Sequence, residues 1–293
     1  MRVFVLGGTG SIGSPIVREL IERGQEVWAL VRSEASASKL RERGATAIAG
    51  DIAAPERWTA RLPPIDAVIH AACDFSSDMG TIDARLLDTL LSVLAAQPNR
   101  ARFIYTGGCW LFGATGDDVA TEATSFRPIP AFAWMVPQLT RILGSREVDG
   151  IVIHPAMVYT PDGGVFRRFV RDAVERDAVR VVGSKAVRWP LVHGADLASL
   201  YVLALEHAPA GSSYIGAAID GLAVGRIAHA FARRFRTSRQ EPQIISADAI
   251  AAELGEWARG YALDQLLSGA RARRELGWTP THLDPEREIA RLP

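Results

Sequence analysis

An α/β fold, a doubly wound parallel sheet with a smaller, mostly helical C-terminal lobe, is predicted by three features of this 293-residue sequence. Short apolar runs alternate with amphipathic segments through the first half. Those runs are apolar throughout rather than at every second position, which is how strands covered on both faces of a sheet read. The first run also ends in a cluster of glycines and passes at once into an amphipathic segment, a strand–turn–helix order. In such sheets ligands collect beyond the carboxyl ends of the strands, so functional residues are sought just after each run.

The elements follow from the pattern in chain order. Val3-Phe4-Val5-Leu6 anchors a first strand over 2–6, and the next runs fall at 26–31, 46–49, 67–70, 103–106 and 151–154. Helical periodicity fills the intervals at 11–23, 34–43, 55–61, 78–96 and 131–146. Asp78 stands before a long helical pattern and reads as its N-cap. Pro137 predicts a kink or a late start in the last of these helices. Beyond Pro155 the pattern loosens: helices are expected at 165–176, 195–207, 223–235, 247–258 and 268–276, with short strands at 179–182 and 214–216. Residues 1–155 read as a nucleotide-binding core, and 156–293 as a mixed segment that completes the sheet and forms a substrate lobe. The basic run Arg233 to Arg239 reads as a solvated helix end.

Bulk composition excludes several classes of function. Thirty-three basic residues balance thirty-three acidic ones, so no net field favours nucleic acid or an anionic membrane. Cys73 and Cys109 form neither a zinc pattern nor a disulfide framework. No stretch approaches the ~18 consecutive apolar residues of a membrane span. The first strand begins at residue 2 or 3 with no cationic leader before it, and a cytoplasmic protein without a signal peptide is the expectation.

The stretch Gly7-Gly8-Thr9-Gly10-Ser11-Ile12-Gly13 carries the most chemistry. Gly8, Gly10 and Gly13 fit G-x-G-x-x-G, whereas Gly7, Gly10 and Gly13 fit G-x-x-G-x-x-G. Either spacing lets the chain turn sharply, lets backbone approach a pyrophosphate, and lets the following helix pack close on the strand. Exposed N–H groups at that helix start then hold the phosphate oxygens, the arrangement of a Rossmann-type dinucleotide site. Arg32 and Ser33 follow the second strand, and no acid lies between Val27 and Ser33. An acid there binds the ribose 2′-hydroxyl of NAD, while an arginine accepts a 2′-phosphate, so NADP(H) is expected over NAD(H). Asp51 and Ile52 follow the third strand at the adenine end, where Asp51 either bonds the adenine amino group or caps the segment that starts at Pro55. Ala71 and Ala72 follow the fourth and would let a cofactor lie flat, with His70 a packed strand-end residue.

Taken together, Gly7–Gly13, Gly50-Asp51, His70–Cys73, Tyr105–Gly113, His154–Tyr159, Trp189–Ala198 and Arg273–Pro280 resemble the extended and atypical short-chain dehydrogenase/reductases, the NAD(P)-dependent epimerase/dehydratase group. The likeness runs nearly the whole length. It implies a Ser or Thr after the fifth strand and a Tyr-x-x-x-Lys pair one helical turn apart, whose tyrosine moves the substrate proton. Here glycines, Gly107 and Gly108, stand at the serine positions, Trp134 at the tyrosine and Gln138 at the lysine. None of the five tyrosines has a lysine four residues on. An indole does not titrate usefully and an amide cannot lower a neighbour's pKa, so the usual mechanism is not available. Thr106, Cys109 and Tyr159 are the remaining candidates near the reacting centre, and His154, at the place of the group's usual arginine, also lines the cofactor and could titrate near neutrality. His193 and Asp196 resemble residues that tie the C-terminal lobe to the sheet. Three functions stay open: a reductase of a small organic molecule that works without the Tyr–Lys pair, an NADP(H)-binding sensor, and a nucleotide-sugar epimerase or dehydratase. A homodimer through 78–96 and 131–146 is the expected assembly, and no metal is expected.

Overall fold

The computed structural model describes residues 1–75, 78–161 and 163–292. In chain order the elements are β1 (Arg2–Leu6), α1 (Gly13–Glu22), β2 (Glu26–Val31), α2 (Glu34–Glu42), β3 (Thr46–Ala49), β4 (Ala67–His70), α3 (Met79–Ala95), β5 (Arg102–Thr106), α4 (Met135–Leu143) and β6 (Asp149–Pro155). There follow β7 (Met157–Thr160), β8 (Gly163–Gly164), α5 (Phe166–Arg176), β9 (Arg180–Val182), β10 (Arg188–His193), α6 (Gly194–His207), β11 (Ser212–Gly216), β12 (Ile219–Ala223), α7 (Val224–Phe235), β13 (Gln243–Ile245), α8 (Ala247–Leu254), α9 (Ala270–Leu276) and α10 (Pro285–Ala290).

Seven strands form the main sheet in the order β11-β6-β5-β4-β1-β2-β3, and every neighbouring pair is parallel. Because side chains alternate across a strand, each strand feeds both apolar layers. Val3 and Val5 meet Ile16, Val17 and Leu20 of α1 and Leu197 of α6 on one face. Phe4 and Leu6 meet Leu86, Leu87 and Leu90 of α3 and Leu139 and Ile142 of α4 on the other. The order reverses direction at β1, so the crevice between β1 and β4 opens at the carboxyl edge, where a ligand is accommodated in such folds. The glycine turn stands at its mouth.

Several expected elements take other forms. Residues 55–61 make two short 3₁₀ turns, Pro55–Arg57 and Thr59–Arg61, in place of a helix. Trp58 between them is fully buried and donates its indole N–H to the Asp51 carbonyl, which fixes this tight path. The helix expected over 131–146 begins late: a 3₁₀ turn at Pro130–Phe132 precedes α4, and Pro137 falls in the first turn of α4, where an N–H has no partner within the helix. The helix expected over 247–258 stops at Leu254 because Gly255 turns at φ +104°, and a 3₁₀ stretch, Glu256–Ala262, follows. The C-terminal lobe also carries a second sheet, β12-β10-β7-β8, and a small third one, β13-β9. Among the described residues no helix is long and apolar enough to cross a membrane.

Candidate functional site

The glycine turn distinguishes between the two spacings. Gly7 has φ +83°, and a Cβ there would lie 2.5 Å from the Ala71 carbonyl oxygen. A Cβ on Gly13 would lie 2.2 Å from the Gly7 oxygen, so α1 can approach β1 only with glycine at this place. Gly10 is exposed, and a Cβ there would meet protein only at the Gly7 oxygen, 3.3 Å away. Gly7 and Gly13 are thus required by the fold, whereas Gly10 leaves free space outward. Gly8 packs more loosely, against Val17 and Ala29. The G-x-x-G-x-x-G register is the one the geometry uses. Helix α1 starts beside it with no side-chain cap at Ile12. The Ser14 N–H bonds the Gly10 carbonyl at 2.9 Å and Pro15 has none, so the N–H groups of Ser11, Ile12 and Gly13, which make no hydrogen bond among the described residues, are the donors left to an outside acceptor. Thr9 and Ser11 are exposed on the same turn, and Ser11 Oγ accepts the N–H of Gly164 at 3.1 Å, which ties the turn to β8.

Arg32 is exposed at the carboxyl end of β2 and makes no ion pair or hydrogen bond among the described residues. Its neighbour Ser33 caps α2, accepting the Ser36 N–H at 3.3 Å. Glu34, the first acid after the strand, is held by Arg41 at 2.5 Å and turned to that partner. Asp51 accepts the Ala53 N–H at 2.9 Å and is half-buried beside Ile52. Ala71 and Ala72 continue β4 as half-buried small residues. These groups line one edge of the sheet, from the glycine turn to the end of β3. The chemistry and the open space suit a dinucleotide: a cradle that a Cβ at Gly10 would fill, uncapped helix donors, and an unpaired guanidinium.

The residues singled out from the sequence around the carboxyl ends of β5 and β6 pack as follows. A Cβ on Gly108 would meet nothing within 4 Å, whereas a Cβ on Gly107 would lie 2.5 Å from His154 Nδ1. The His154 imidazole therefore occupies the space a side chain at position 107 would take. It is packed edge-on against Phe112, beside Phe126, and burial pushes its pKa down to about 3. The expectation that His154 titrates near neutrality is corrected: the packed rings exclude the water that would stabilise the cation. Trp134 lies just before α4 and spends its single donor on the Ala131 carbonyl at 2.9 Å, with its ring against Gly80 of α3. Gln138 is half-buried and makes no hydrogen bond among the described residues.

The three candidates for a role near the reacting atoms are placed differently. Thr106 Oγ1 is 2.7 Å from the Tyr201 hydroxyl, at the end of β5. Cys109 is buried, and burial raises its thiol to about 12, so it remains a neutral thiol. Tyr159 is buried and donates its hydroxyl to the His282 carbonyl at 2.8 Å, which turns the phenol into the lobe and occupies its proton. Asp196 holds the C-terminal segment: it accepts the N–H groups of Thr281 and His282, and its own carbonyl accepts the Trp278 indole.

One acid–base cluster is not legible in the local sequence. His70 Nε2 stands 2.7 Å from Asp83 Oδ1, and the Tyr105 hydroxyl donates to Asp83 Oδ2 at 2.8 Å, all three groups buried. Burial beside the Asp83 charge holds the Tyr105 phenol well above its ordinary range. The partner that His70 lacks among its sequence neighbours comes from α3. Asp83 shares the buried stripe of Leu86, Leu87 and Leu90, and a carboxylate at that spacing is the signal that could have found it.

Above this edge lies a wall of rings. Trp110 follows β5 and meets Phe132 at 5.7 Å, Tyr261 at 5.4 Å and Trp257 at 6.2 Å, and Trp257 meets Phe75 at 5.1 Å. Gly260 admits the indole of Trp110, since a Cβ there would lie 2.3 Å from it. The β4–α3 loop, the end of β5 and the 3₁₀ stretch of the C-terminal lobe thus converge on one apolar surface.

Comparison with known proteins gives this arrangement its family. The model of the NAD dependent epimerase/dehydratase family matches residues 3–216. The chain is 30% identical over 290 residues to the uncharacterized protein C2A9.02 of Schizosaccharomyces pombe, covering 96% of each. It is 28% identical over 314 residues to the 4-hydroxy-2-methyl-3-oxo-4-farnesyl-3,4-dihydroquinoline-1-oxide ketoreductase of Stigmatella aurantiaca, covering 95% of this chain and 92% of that one. Among solved structures, the human epimerase family protein SDR39U1 (isoform 2) with NADPH superposes with a TM-score of 0.81 at 18% identity, over 100% of this chain and 99% of that one. The sheet order, the glycine turn and these matches agree, and the chain belongs to the NAD dependent epimerase/dehydratase family.

Proposed function

We propose that this protein is an NADP(H)-dependent reductase of a small, flat, largely apolar organic carbonyl compound, acting without a Tyr–Lys pair. The observation that carries the cofactor preference is Arg32, a cation without a hydrogen bond or ion pair among the described residues at the carboxyl end of β2, where the first acid after the strand, Glu34, is paired with Arg41. The ketoreductase relative and the ring wall of Trp110, Phe132 and Trp257 support the substrate class. Bound NADPH supplies the hydride. The chain's own residues bind and orient. The open N–H groups at the start of α1 and the space at Gly10 hold the pyrophosphate, Arg32 and Ser33 hold the 2′-phosphate, and Asp51, Ile52, Ala71 and Ala72 line the adenine half.

The ring wall excludes water and lays a flat substrate against the end of β5, and orientation of this kind is a major share of what hydride transfer needs. Thr106 Oγ1, 2.7 Å from the Tyr201 hydroxyl, lies at that edge and orients the acceptor oxygen, and the proton that completes the alcohol is taken from solvent as the product leaves. Trp134 and Gln138 furnish no titrating acid, so substrates that need little protonation, such as an iminium or an activated alkene, fit the same site. The test is NADPH oxidation with a panel of ketones, enones and imines. Turnover with one member supports the reading. Tight NADPH binding with no turnover anywhere in the panel replaces it with a cofactor sensor, and interconversion of a nucleotide sugar replaces it with an epimerase.

A further inference from the structure

Among the described residues of the C-terminal lobe, the least satisfied polar group is a guanidinium. Arg168, on α5, is 6% exposed, and its Nε, Nη1 and Nη2 are all buried without a hydrogen-bond partner. An arginine carries five N–H donors, and burying them unpaired is costly, so such a group calls for an acceptor from elsewhere. The obvious acceptor is taken. Asp172 lies 3.7 Å away but is gripped by Arg180 through Nη2 at 2.8 Å and Nε at 3.1 Å, and by Arg176 at 3.4 Å. Glu253, the other carboxylate of the cluster, is held by Arg180 at 2.8 Å, Arg176 at 3.2 Å and Arg171 at 3.5 Å. Four guanidiniums thus share two carboxylates, and the one left without a hydrogen bond is the one turned to the rings.

Its position connects it to the ring wall. The Arg168 guanidinium stands over Phe169 at 4.6 Å and over Tyr261 at 5.0 Å. Tyr261 is edge-on to Trp110 at the end of β5, and its hydroxyl makes no hydrogen bond among the described residues. A buried cation with open donors and a free phenol therefore sit one ring behind the apolar wall.

We propose that Arg168, with the Tyr261 hydroxyl, binds an anionic group, a carboxylate or phosphate, carried by an aromatic molecule lying on the Trp110–Trp257 wall. This rests on the reading of that wall as the substrate surface, and it makes the substrate a flat ring system with an acidic substituent. Tyr261 and Trp257 must part to admit it.

The test is calorimetric titration of the full chain with 2-naphthoate, 2-naphthyl phosphate and the uncharged 2-naphthamide, alongside thermal denaturation. Wild type is expected to bind one of the two anions at least ~10-fold more tightly than the amide, the worth of a charge-assisted pair, and which anion wins assigns the group. Arg168→Met should erase that preference while melting no lower than wild type in the absence of ligand, since it removes an unpaired buried charge. Arg168→Lys should retain part of the preference. Equal binding of anion and amide by wild type, or an unchanged preference in Arg168→Met, overturns the proposal. So does a large loss of thermal stability in Arg168→Met, which would make the arginine a structural cation. NADPH oxidation is read separately: if no turnover is found but the Arg168-dependent preference is, the anion site stands and the reductase reading falls.

Discussion

Replacing Arg32 by alanine isolates the cofactor preference. Arg32 is exposed and makes no hydrogen bond or ion pair among the described residues, so its removal breaks none of these and should leave the fold intact. On the proposed reading, what it removes is a charge-assisted, two-pronged contact to a phosphate, worth about 1.5–3 kcal/mol. Because the side chain is exposed, solvent and salt screen it, and the lower end of that range applies. At 1.36 kcal/mol per decade, a loss of ~1.5–2 kcal/mol weakens NADPH about 10- to 30-fold. NADH carries no 2′-phosphate and should be affected less than about twofold. Nucleotide fluorescence titrations at low and moderate salt read both affinities, with the larger NADPH loss at low salt. Equal weakening of NADH and NADPH, or no change in either, would refute the assignment of Arg32 to the 2′-phosphate. The reverse exchange, Arg32→Asp, is expected to favour NADH.

Four further outcomes follow from the same geometry. Gly10→Val should fold with wild-type stability and lose NADPH binding, whereas Gly7→Ala should cost at least ~2 kcal/mol in urea denaturation, because it combines a left-handed backbone with a Cβ driven into the Ala71 carbonyl. Asp83→Ala strips the partner from both His70 and Tyr105 and should cost about 2–5 kcal/mol; a loss below ~1 kcal/mol would mean that water serves the cluster equally well. The burial-lowered pKa of His154 makes the unfolded chain take up its proton first as pH falls, so this histidine's contribution is full above about 6.5 and drains away toward 3. His154→Phe should flatten the melting temperature across that window. Glu253, lowered to about 2 by its hydrogen bond to Arg180, contributes above its ordinary range near 4.5 and is lost as pH falls toward 2, so Glu253→Gln should soften only the acid end of the same curve.

The strands of the main sheet were legible because a strand buried on both faces is a short unbroken apolar run. β1, β2, β3 and β4 coincide with runs such as Val27 to Val31. The strands of the second sheet were not. β7 is short, β8 is a pair of glycines, and β10 carries a proline, so their identity comes from pairing with distant partners rather than from local pattern. The glycine turn was legible for a related reason: it works through backbone, and Gly7, Gly10 and Gly13 lie within seven residues of sequence. The acid–base and anion clusters depend on side chains that meet only in three dimensions. Asp83 reaches His70 from α3, and Arg168 reaches Tyr261 from α5, and in both cases the spacing says buried face without saying which partner waits there. His154 was misread because its ring neighbours, Phe112 and Phe126, come from a different loop.

Stereospecific deuterium transfer tests the central claim most directly. NADPH carrying deuterium on one face of nicotinamide C4 is incubated with the protein and the panel of ketones, enones and imines, and the products are analysed by mass spectrometry. The account predicts deuterium in one product from one face only, with Trp134 and Gln138 left as they are. NADPH bound at the glycine turn with deuterium in no product, from either face, would contradict it.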